Sequence, residues 1–245
     1  MIQLYIFFFG GGDLLKAVVF DLDHTLFDRY ATIKQIVPRF REGFKINPDI
    51  TDDFIYNELS WADKNYVHRG WQEIFAHLCN KGVFAEIPEY DDYVQFVLSC
   101  FKTVAVPFAF TNNVLQQLKD DGFLLGLITN GTHDVQTAKL NILGITHFFD
   151  EIVITGDEPY WKPDPRVFHL ICDRLGVKPS EMMYVGDHPK FDVDGSRNAG
   201  CIPFWVRTTG TWIYPEIHKP QLQADTVEAV PVIAKKLQNE QVYDI

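Results

Sequence analysis

Short apolar runs alternate with stretches of helical spacing over much of the chain. The β-branched run at 17–20 stops at an acidic cluster, which is typical of a buried parallel strand. After Phe108 the pattern of strand, loop and helix repeats. The later predicted strands cover 123–128, 151–155, 182–185 and 202–207, and the predicted helices cover 132–143, 165–175 and 193–199. Alternating units of this kind predict an α/β fold built on a doubly wound parallel sheet.

The stretch from 29 to 107 has a different pattern, because the strand signal is absent from it. Its apolar residues recur at helical spacing in four groups, which are Ile33, Ile36, Val37 and Phe40; Phe54, Ile55, Leu59 and Ala62; Ile74, Phe75 and Leu78; and Val94, Val97, Leu98 and Phe101. This pattern predicts an inserted α-helical bundle. We therefore expect a core formed by 1–28 and 108–245, interrupted by a helical domain at 29–107.

Composition and charge narrow the class of protein. The chain has 245 residues, of which 47% are hydrophobic and 22% charged, as in a globular protein with a large core. Lys and Arg number 22 against 33 Asp and Glu, the net charge is −11, and no basic run occurs, so we expect no nucleic-acid partner. The cysteines are too widely spaced for metal or redox pairs, and such thiols indicate a cytoplasmic protein; they are Cys79, Cys100, Cys172 and Cys201.

The apolar run at 1–9 does not predict a membrane protein. It is far shorter than the roughly 20 residues that cross a bilayer. No Lys or Arg precedes Lys16, so the charged start of a signal peptide is missing. We expect no membrane association, and 1–12 is interpreted as an edge strand, a disordered extension or a start-site artefact.

Polar side chains follow three of the predicted strands at their carboxyl ends. In chain order they are Asp21 and Asp23, Thr129 and Asn130, and Asp187 with Asp192 five positions on. Ligands of open α/β sheets bind at the carboxyl ends of the strands, so we expect these groups to converge on one crevice. Lys162, between a predicted strand and a helix, would supply a fixed cation there.

These residue types indicate a phosphate site with a metal ion. Carboxylates sharing one cleft repel each other unless a cation lies among them, and oxygen ligands without His or Cys favour Mg²⁺ over zinc. A hydroxyl, an amide and a lysine beside Mg²⁺ provide donors for phosphoryl oxygens. Each group alone has an ordinary explanation as a turn, a helix cap or a solvated lysine. Their order, spacing and placement at strand ends favour the site.

Four segments, taken together, resemble the motifs of the haloacid dehalogenase-like hydrolases. They are 21–28 (DLDHTLFD), 127–131 (LITNG), 162–165 (KPDP) and 186–192 (GDHPKFD), in the family's order. The resemblance extends from Lys16 to about Arg207. It implies a Rossmann-like core with a helical cap inserted after the first motif, which is where 29–107 lies.

The resemblance also implies a role for each motif residue. Asp21 would be the nucleophile that becomes an aspartyl phosphate, and Asp23 would be the general acid/base. Thr129 and Asn130 would hold phosphoryl oxygens, and Lys162 would orient Asp21 and the phosphate. The implied Mg²⁺ ligands are Asp21, Asp23 through its backbone carbonyl, Asp187, and Asp192 either directly or through water.

Two residues of the first motif refine this interpretation. His24 stands where phosphatases of the family commonly carry Gly, so the turn after the nucleophile is less predictable; a catalytic base at His24 is the weaker alternative. Family members that break carbon–halogen bonds lack a carboxylate at the position of Asp23, two residues after the nucleophile. The reason is that a leaving halide needs no proton, whereas a leaving alkoxide does. We therefore predict an Mg²⁺-dependent hydrolase of small phosphate monoesters. A phosphomutase and a non-catalytic binding module are the alternatives.

The motifs do not distinguish between classes of phosphorylated substrate. A nucleotide, a sugar phosphate or a phosphorylated acid would all suit the motifs, and the oligomeric state is not indicated. Specificity is expected in the cap and at its boundary with the core, although ordinary packing is the commoner role of such aromatic residues. The candidates are Trp61, Asn65, Arg69, Trp71 and the loop 208–215.

Overall fold

A parallel sheet of six strands forms the centre of the structure. The computed structural model describes residues 14–66, 70–208 and 212–239. The strands are β1 (Ala17–Phe20), β2 (Leu124–Thr129), β3 (Glu151–Ile154), β4 (Met182–Gly186), β5 (Ile202–Val206) and β6 (Leu222–Ala224). Their order is β3-β2-β1-β4-β5-β6, and every neighbouring pair is parallel. The predicted α/β class is confirmed, whereas the predictions for 1–12 lie outside the described residues.

Helices cover both faces of this sheet. They are α1 (Arg29–Ile36), α2 (Phe40–Gly43), α3 (Asp52–Tyr66), α4 (Trp71–Asn80), α5 (Tyr90–Phe101), α6 (Thr111–Asp120), α7 (His133–Leu143), α8 (Pro165–Leu175), α9 (Gly195–Asn198) and α10 (Val230–Asn239). Val18 and Phe20 of β1 pack in the hydrophobic cluster that contains buried residues of α6 and α10. Ala17 and Val19 point to the opposite face, where α8 packs. The sheet is therefore doubly wound, as the alternation of β1 side chains requires.

Helices α1 to α5 form a second hydrophobic cluster of their own. Phe40 and Tyr93 are among its fully buried side chains, with their ring centroids 6.4 Å apart. Val135 of α7 is also a member, so the helical insertion packs on the core through α7. The two connections between the insertion and the core run side by side. Phe27 forms a β-bridge with Pro107, and the Asp28 N–H donates to the Val106 carbonyl at 2.8 Å.

Several elements differ from the sequence predictions. Strand β2 extends to Thr129, because β3 continues to pair with it up to that residue. The helix predicted at 193–199 begins earlier, as a π-helical segment at Pro189–Asp194 followed by α9. Its start is fixed by His188, whose Nδ1 accepts from the Lys190 and Phe191 N–H groups. Helices α6 and α10 and strand β6 were not predicted from the hydrophobic pattern.

No helix in the described part of the chain is both long enough and apolar enough to cross a membrane.

Candidate active site

The carboxyl ends of β1, β2 and β4 bring the predicted site residues to one edge of the sheet. Asp21 directly follows β1, Thr129 ends β2, and Asp187 directly follows β4. Strand β1 lies between the other two in the sheet. Strands β2 and β3 lie on one side of β1, and β4 to β6 lie on the other side. The strand order therefore reverses its direction at β1, and open α/β sheets form their ligand crevice at such a point.

Lys162 enters this edge from the segment between β3 and α8. Its Nζ donates to Asp21 Oδ1 at 2.6 Å, to Asp192 Oδ1 at 2.8 Å and to the Tyr184 hydroxyl at 3.0 Å. Burial alone would lower the pKa of Lys162, but Asp192 and Asp21 raise it well above its usual value. Lys162 therefore lies as a cation between Asp21 and Asp192.

Asp21 lies in an environment that favours a further positive charge. It is 6% exposed, and its Oδ2 accepts from the Thr25 hydroxyl at 3.1 Å. Burial raises the pKa of Asp21, Lys162 lowers it, and Asp192 raises it again, so that it reaches about 7. A cation bound beside Asp21 would favour its carboxylate form, which is the form that a nucleophile needs.

Three buried carboxylates, termed the metal group, form a candidate metal centre. Oxygen atoms of Asp21, Asp187 and Asp192 all lie within 4.8 Å of one another. Asp192 Oδ2 accepts from the His188 N–H at 2.9 Å, while Lys162 contacts its other oxygen. Gly186 permits this approach, since a Cβ there would lie 2.4 Å from Asp192 Cγ. An all-oxygen donor set of this kind suits Mg²⁺.

Asp23, the fourth predicted metal ligand, directs its carboxylate elsewhere. Lys139 Nζ donates to its two oxygens at 2.8 and 3.0 Å, Arg29 Nη1 donates at 2.6 Å, and Gln136 Nε2 donates at 3.2 Å. Burial would raise the pKa of Asp23, but Lys139 and Arg29 lower it well below its usual range. The side chain is thus a carboxylate outside the metal group, and the backbone carbonyl is the atom left to ligate a metal.

Thr129 and Asn130 differ in how they fit the predicted phosphate site. Thr129 is buried at the end of β2, and its hydroxyl accepts a hydrogen bond from Gln136. The Asn130 side chain instead holds the backbone of Lys162, accepting from its N–H at 3.0 Å and donating to its carbonyl at 3.1 Å. Its amide side chain therefore positions Lys162. A contact between Asn130 and phosphate would have to come from its backbone N–H.

The conformation of His24 explains why glycine suits this position. Its φ is 63°, in the left-handed region that a residue with a Cβ rarely adopts. The imidazole is buried against Tyr30, with ring centroids 4.4 Å apart, and its Nε2 lies 3.7 Å from Asp63 Oδ2 of α3. The side chain thus faces the helical insertion and contributes to its contact with the core.

Four residues around Asp23 were missed by the sequence analysis. They are Arg29, Asp63, Gln136 and Lys139, and all are buried. One of them left a readable signal, since Lys139 occupies the apolar face of α7 midway between Val135 and Leu143 at four-residue spacing. A lysine on a buried helix face requires a charged partner. That partner, Asp23, is 116 positions away in sequence.

The cap residues predicted for specificity occupy different surroundings. Trp61 is 48% exposed and stacks on His77 at 4.7 Å, while Asn65 donates to the Trp61 carbonyl at 2.7 Å. Trp71 is half-buried, and its ring centroid lies 6.0 Å from the Arg29 guanidinium carbon. Trp71 therefore packs beside Arg29, the residue of the insertion whose guanidinium contacts Asp23. Arg69 lies outside the described residues.

The predicted loop at 208–215 packs beside the metal group, as far as it is described. Trp212 contacts Trp205 edge to face at 4.8 Å, and Trp205 Nε1 donates to the Asp187 carbonyl at 2.8 Å. Positions 209–211 lie outside the described residues. The described part of the loop thus supports the backbone of a candidate metal ligand.

The family follows from a comparison with known sequences. The family model described as haloacid dehalogenase-like hydrolase matches residues 18–206, a range that contains every motif described above. The chain belongs to this family. Glyceraldehyde 3-phosphate phosphatase of Methanopyrus kandleri is 33% identical over 207 residues, covering 79% of this chain and 84% of the relative. Phosphoserine phosphatase of Thermus thermophilus is 41% identical over 92 residues, covering 38% of this chain and 37% of the relative.

Solved structures support the same fold. The HAD-hydrolase YfnB from Bacillus subtilis, bound to magnesium, matches with a TM-score of 0.70 and 20% identity over 91% of this chain and 99% of that chain. The L-2-haloacid dehalogenase of Xanthobacter autotrophicus also matches, with a TM-score of 0.66 and 19% identity over 91% of this chain and 99% of that chain. The fold therefore does not separate the two chemistries. The sequence relatives do, and the predicted enzyme class, a phosphatase of the haloacid dehalogenase-like family, is confirmed.

Proposed function

We propose that the enzyme hydrolyses phosphate monoesters of small metabolites through an aspartyl phosphate on Asp21, with Mg²⁺ as cofactor. The observation that carries this proposal is the separation of two carboxylates only two positions apart. Asp21 belongs to the buried group with Asp187 and Asp192, whereas Asp23 lies outside it. This separation supports nucleophilic attack by Asp21 and proton transfer by Asp23.

The first half-reaction would transfer the phosphoryl group to Asp21. An oxygen of Asp21 forms a bond to phosphorus as the bond from phosphorus to the substrate oxygen breaks. Asp23, a carboxylate in the free enzyme, would take a proton from the monoanionic form of the bound ester and give it to the departing alkoxide. The negative charge of the bound phosphoryl group and of the developing alkoxide raises the proton affinity of Asp23, offsetting the effect of Lys139 and Arg29. Lys162 and Thr129 would hold phosphoryl oxygens during this transfer.

The second half-reaction would release phosphate. Asp23, now ionised, accepts a proton from water, and the water oxygen forms a bond to phosphorus. The bond between phosphorus and Asp21 breaks, which restores both aspartates for another turnover. Mg²⁺ would be held by Asp21, Asp187, Asp192 and the Asp23 carbonyl, and would neutralise charge that develops on the phosphoryl oxygens.

A panel of phosphate esters with Mg²⁺ present tests the proposed function. The relatives are named for glyceraldehyde 3-phosphate, phosphoserine and N-acylneuraminate 9-phosphate, so these compounds head the panel, followed by sugar phosphates and nucleotides. We expect inorganic phosphate to be released from at least one of them. Interconversion of isomers with little phosphate release would indicate a mutase, and no reaction with any ester would contradict the proposal.

We predict that activity requires a divalent cation. The three carboxylates of the metal group carry more negative charge than Lys162 balances, so exhaustive chelation should abolish phosphate release, and added Mg²⁺ should restore it. The Asp187→Ala variant should need a far higher Mg²⁺ concentration or lose activity, with an unchanged circular dichroism spectrum. Full activity after chelation would refute the metal assignment.

We further propose that 29–107 acts as a lid that pivots at its two connections to the core. The Phe27–Pro107 bridge and the Asp28–Val106 hydrogen bond hold these connections side by side. Limited proteolysis with and without Mg²⁺ and a phosphate analogue such as beryllium fluoride tests this. We expect the ligand to protect residues near 28–29 and 107–108. Identical cleavage rates at these connections and throughout 29–107 would refute the lid.

A cytoplasmic location stays a prediction. It is supported by the four cysteines, all of which are free.

A further inference from the structure

Arg29 connects the acid/base residue of the core to the helical insertion. Its Nη1 donates to Asp23 at 2.6 Å, while its Nε and Nη2 donate to Asp63 of α3 at 2.8 to 3.1 Å. Arg29 and Asp63 are 6% and 1% exposed. One planar guanidinium thus holds two carboxylates in a fixed mutual position, which is a geometry that lysine cannot reproduce.

The insertion also fixes the second cation that contacts Asp23. Phe101, at the end of α5, lies against both cations, with its ring centroid 4.6 Å from the Arg29 guanidinium carbon and 5.3 Å from Lys139 Nζ. Three elements of the insertion, namely α1, α3 and α5, therefore contribute a group to the surroundings of Asp23. The orientation of the Asp23 carboxylate depends on how the insertion packs on the core.

Stability alone does not account for this arrangement. The cluster contains two cations and two carboxylates, all buried or nearly so, and each loses its hydration when the insertion packs. Buried ion pairs of this kind often stabilise a fold no more than apolar residues of similar volume would. Their position beside the acid/base residue Asp23 therefore indicates a role in the reaction.

We propose that Arg29 and Asp63 are positioning residues, which hold the Asp23 carboxylate in place for proton transfer when the insertion is packed on the core. The inference rests on the proposed function, because it requires Asp23 to protonate a leaving group. It adds that the cap supplies part of the acid/base machinery through α3. Loss of Asp63 should therefore affect substrates according to how much protonation their leaving group needs.

The test compares kcat/KM for two esters in the Asp63→Asn variant. The first is 4-nitrophenyl phosphate, whose leaving group needs little protonation, and the second is glyceraldehyde 3-phosphate or the alkyl phosphate of the panel that reacts fastest. The ratio of alkyl to nitrophenyl kcat/KM reports on proton donation, because both values end at the first irreversible step. We expect this ratio to fall about 10- to 100-fold, which is less than the roughly 10²- to 10⁴-fold cost of losing general acid catalysis, because Asp23 itself is kept.

Two further variants separate positioning from a structural effect. Arg29→Lys keeps the positive charge but loses the planar guanidinium that contacts both Asp23 and Asp63, so it should lower the ratio in the same way. This variant replaces Asp63→Asn as the test if Asp63→Asn does not fold. Glu58→Gln changes another carboxylate of α3, whose contact is with His77 of α4 at 2.7 Å, and should leave the ratio unchanged. In an Asp23→Asn background, Asp63→Asn should lower the ratio no further.

An unchanged ratio in both Asp63→Asn and Arg29→Lys would overturn the inference, and so would an equal fall in Glu58→Gln. Failure of the proposed function has a different signature, since the wild-type enzyme would then release phosphate from neither ester.

Discussion

The Asp21→Asn variant is expected to release phosphate at least about 10⁴-fold more slowly than the wild type. The asparagine side chain has nearly the same shape, so it fits between Lys162 and Thr25, but its amide is not a nucleophile. Phosphoenzyme formation and phosphate release should be lost together. The measurement is a steady-state assay at saturating Mg²⁺, combined with acid quenching to detect phosphoprotein.

Asp28→Asn is the matched control for this variant. Asp28 belongs to the same motif but caps α1, accepting from the Ala31 N–H at 2.8 Å, and asparagine is an equally good cap. It should retain close to the wild-type rate. Wild-type turnover by Asp21→Asn would place the nucleophile elsewhere and would contradict the mechanism.

The Asp23→Asn variant is expected to slow both half-reactions by about 10²- to 10⁴-fold, which is the usual contribution of general acid/base catalysis. With 4-nitrophenyl phosphate, phosphorylation of Asp21 should suffer less than its hydrolysis, because the nitrophenolate leaves without a proton. The phosphoenzyme should then accumulate to a level that rapid quenching detects. An Asp23→Asn variant whose kcat/KM falls equally on alkyl and nitrophenyl esters would contradict proton donation by Asp23.

The elements of the fold that the sequence predicted well are those with a simple hydrophobic pattern. Strand β1 is a continuous apolar run because both of its faces are covered by helices. Helices α7 and α8 end at Gly144 and Gly176, both of which are left-handed caps. By contrast, β6 has three residues and pairs with one neighbour, so its sequence carries too little pattern to recognise.

The candidate site also contains residues that the sequence pattern can predict and contacts that it cannot. The convergence of Asp21 and Asp187 was predictable because strand ends of a parallel sheet meet at one edge, whatever the details of the loops. The contact between Arg29 and Asp63 was not predictable, since it joins residues 34 positions apart on separate helices whose packing no sequence pattern fixes. For the same reason the predicted role of the Asn130 side chain could not be distinguished from its contact with the Lys162 backbone.

The central claim is that Asp21 carries the phosphoryl group during turnover. The most direct measurement is to quench Asp23→Asn in acid during reaction with 4-nitrophenyl phosphate, and to map the modified peptide by mass spectrometry. We predict an acid-stable, hydroxylamine-sensitive phosphoryl group on Asp21. Failure to trap any phosphoprotein with Asp23→Asn or with the wild type, while phosphate is still released, would indicate direct attack by water and would contradict this account.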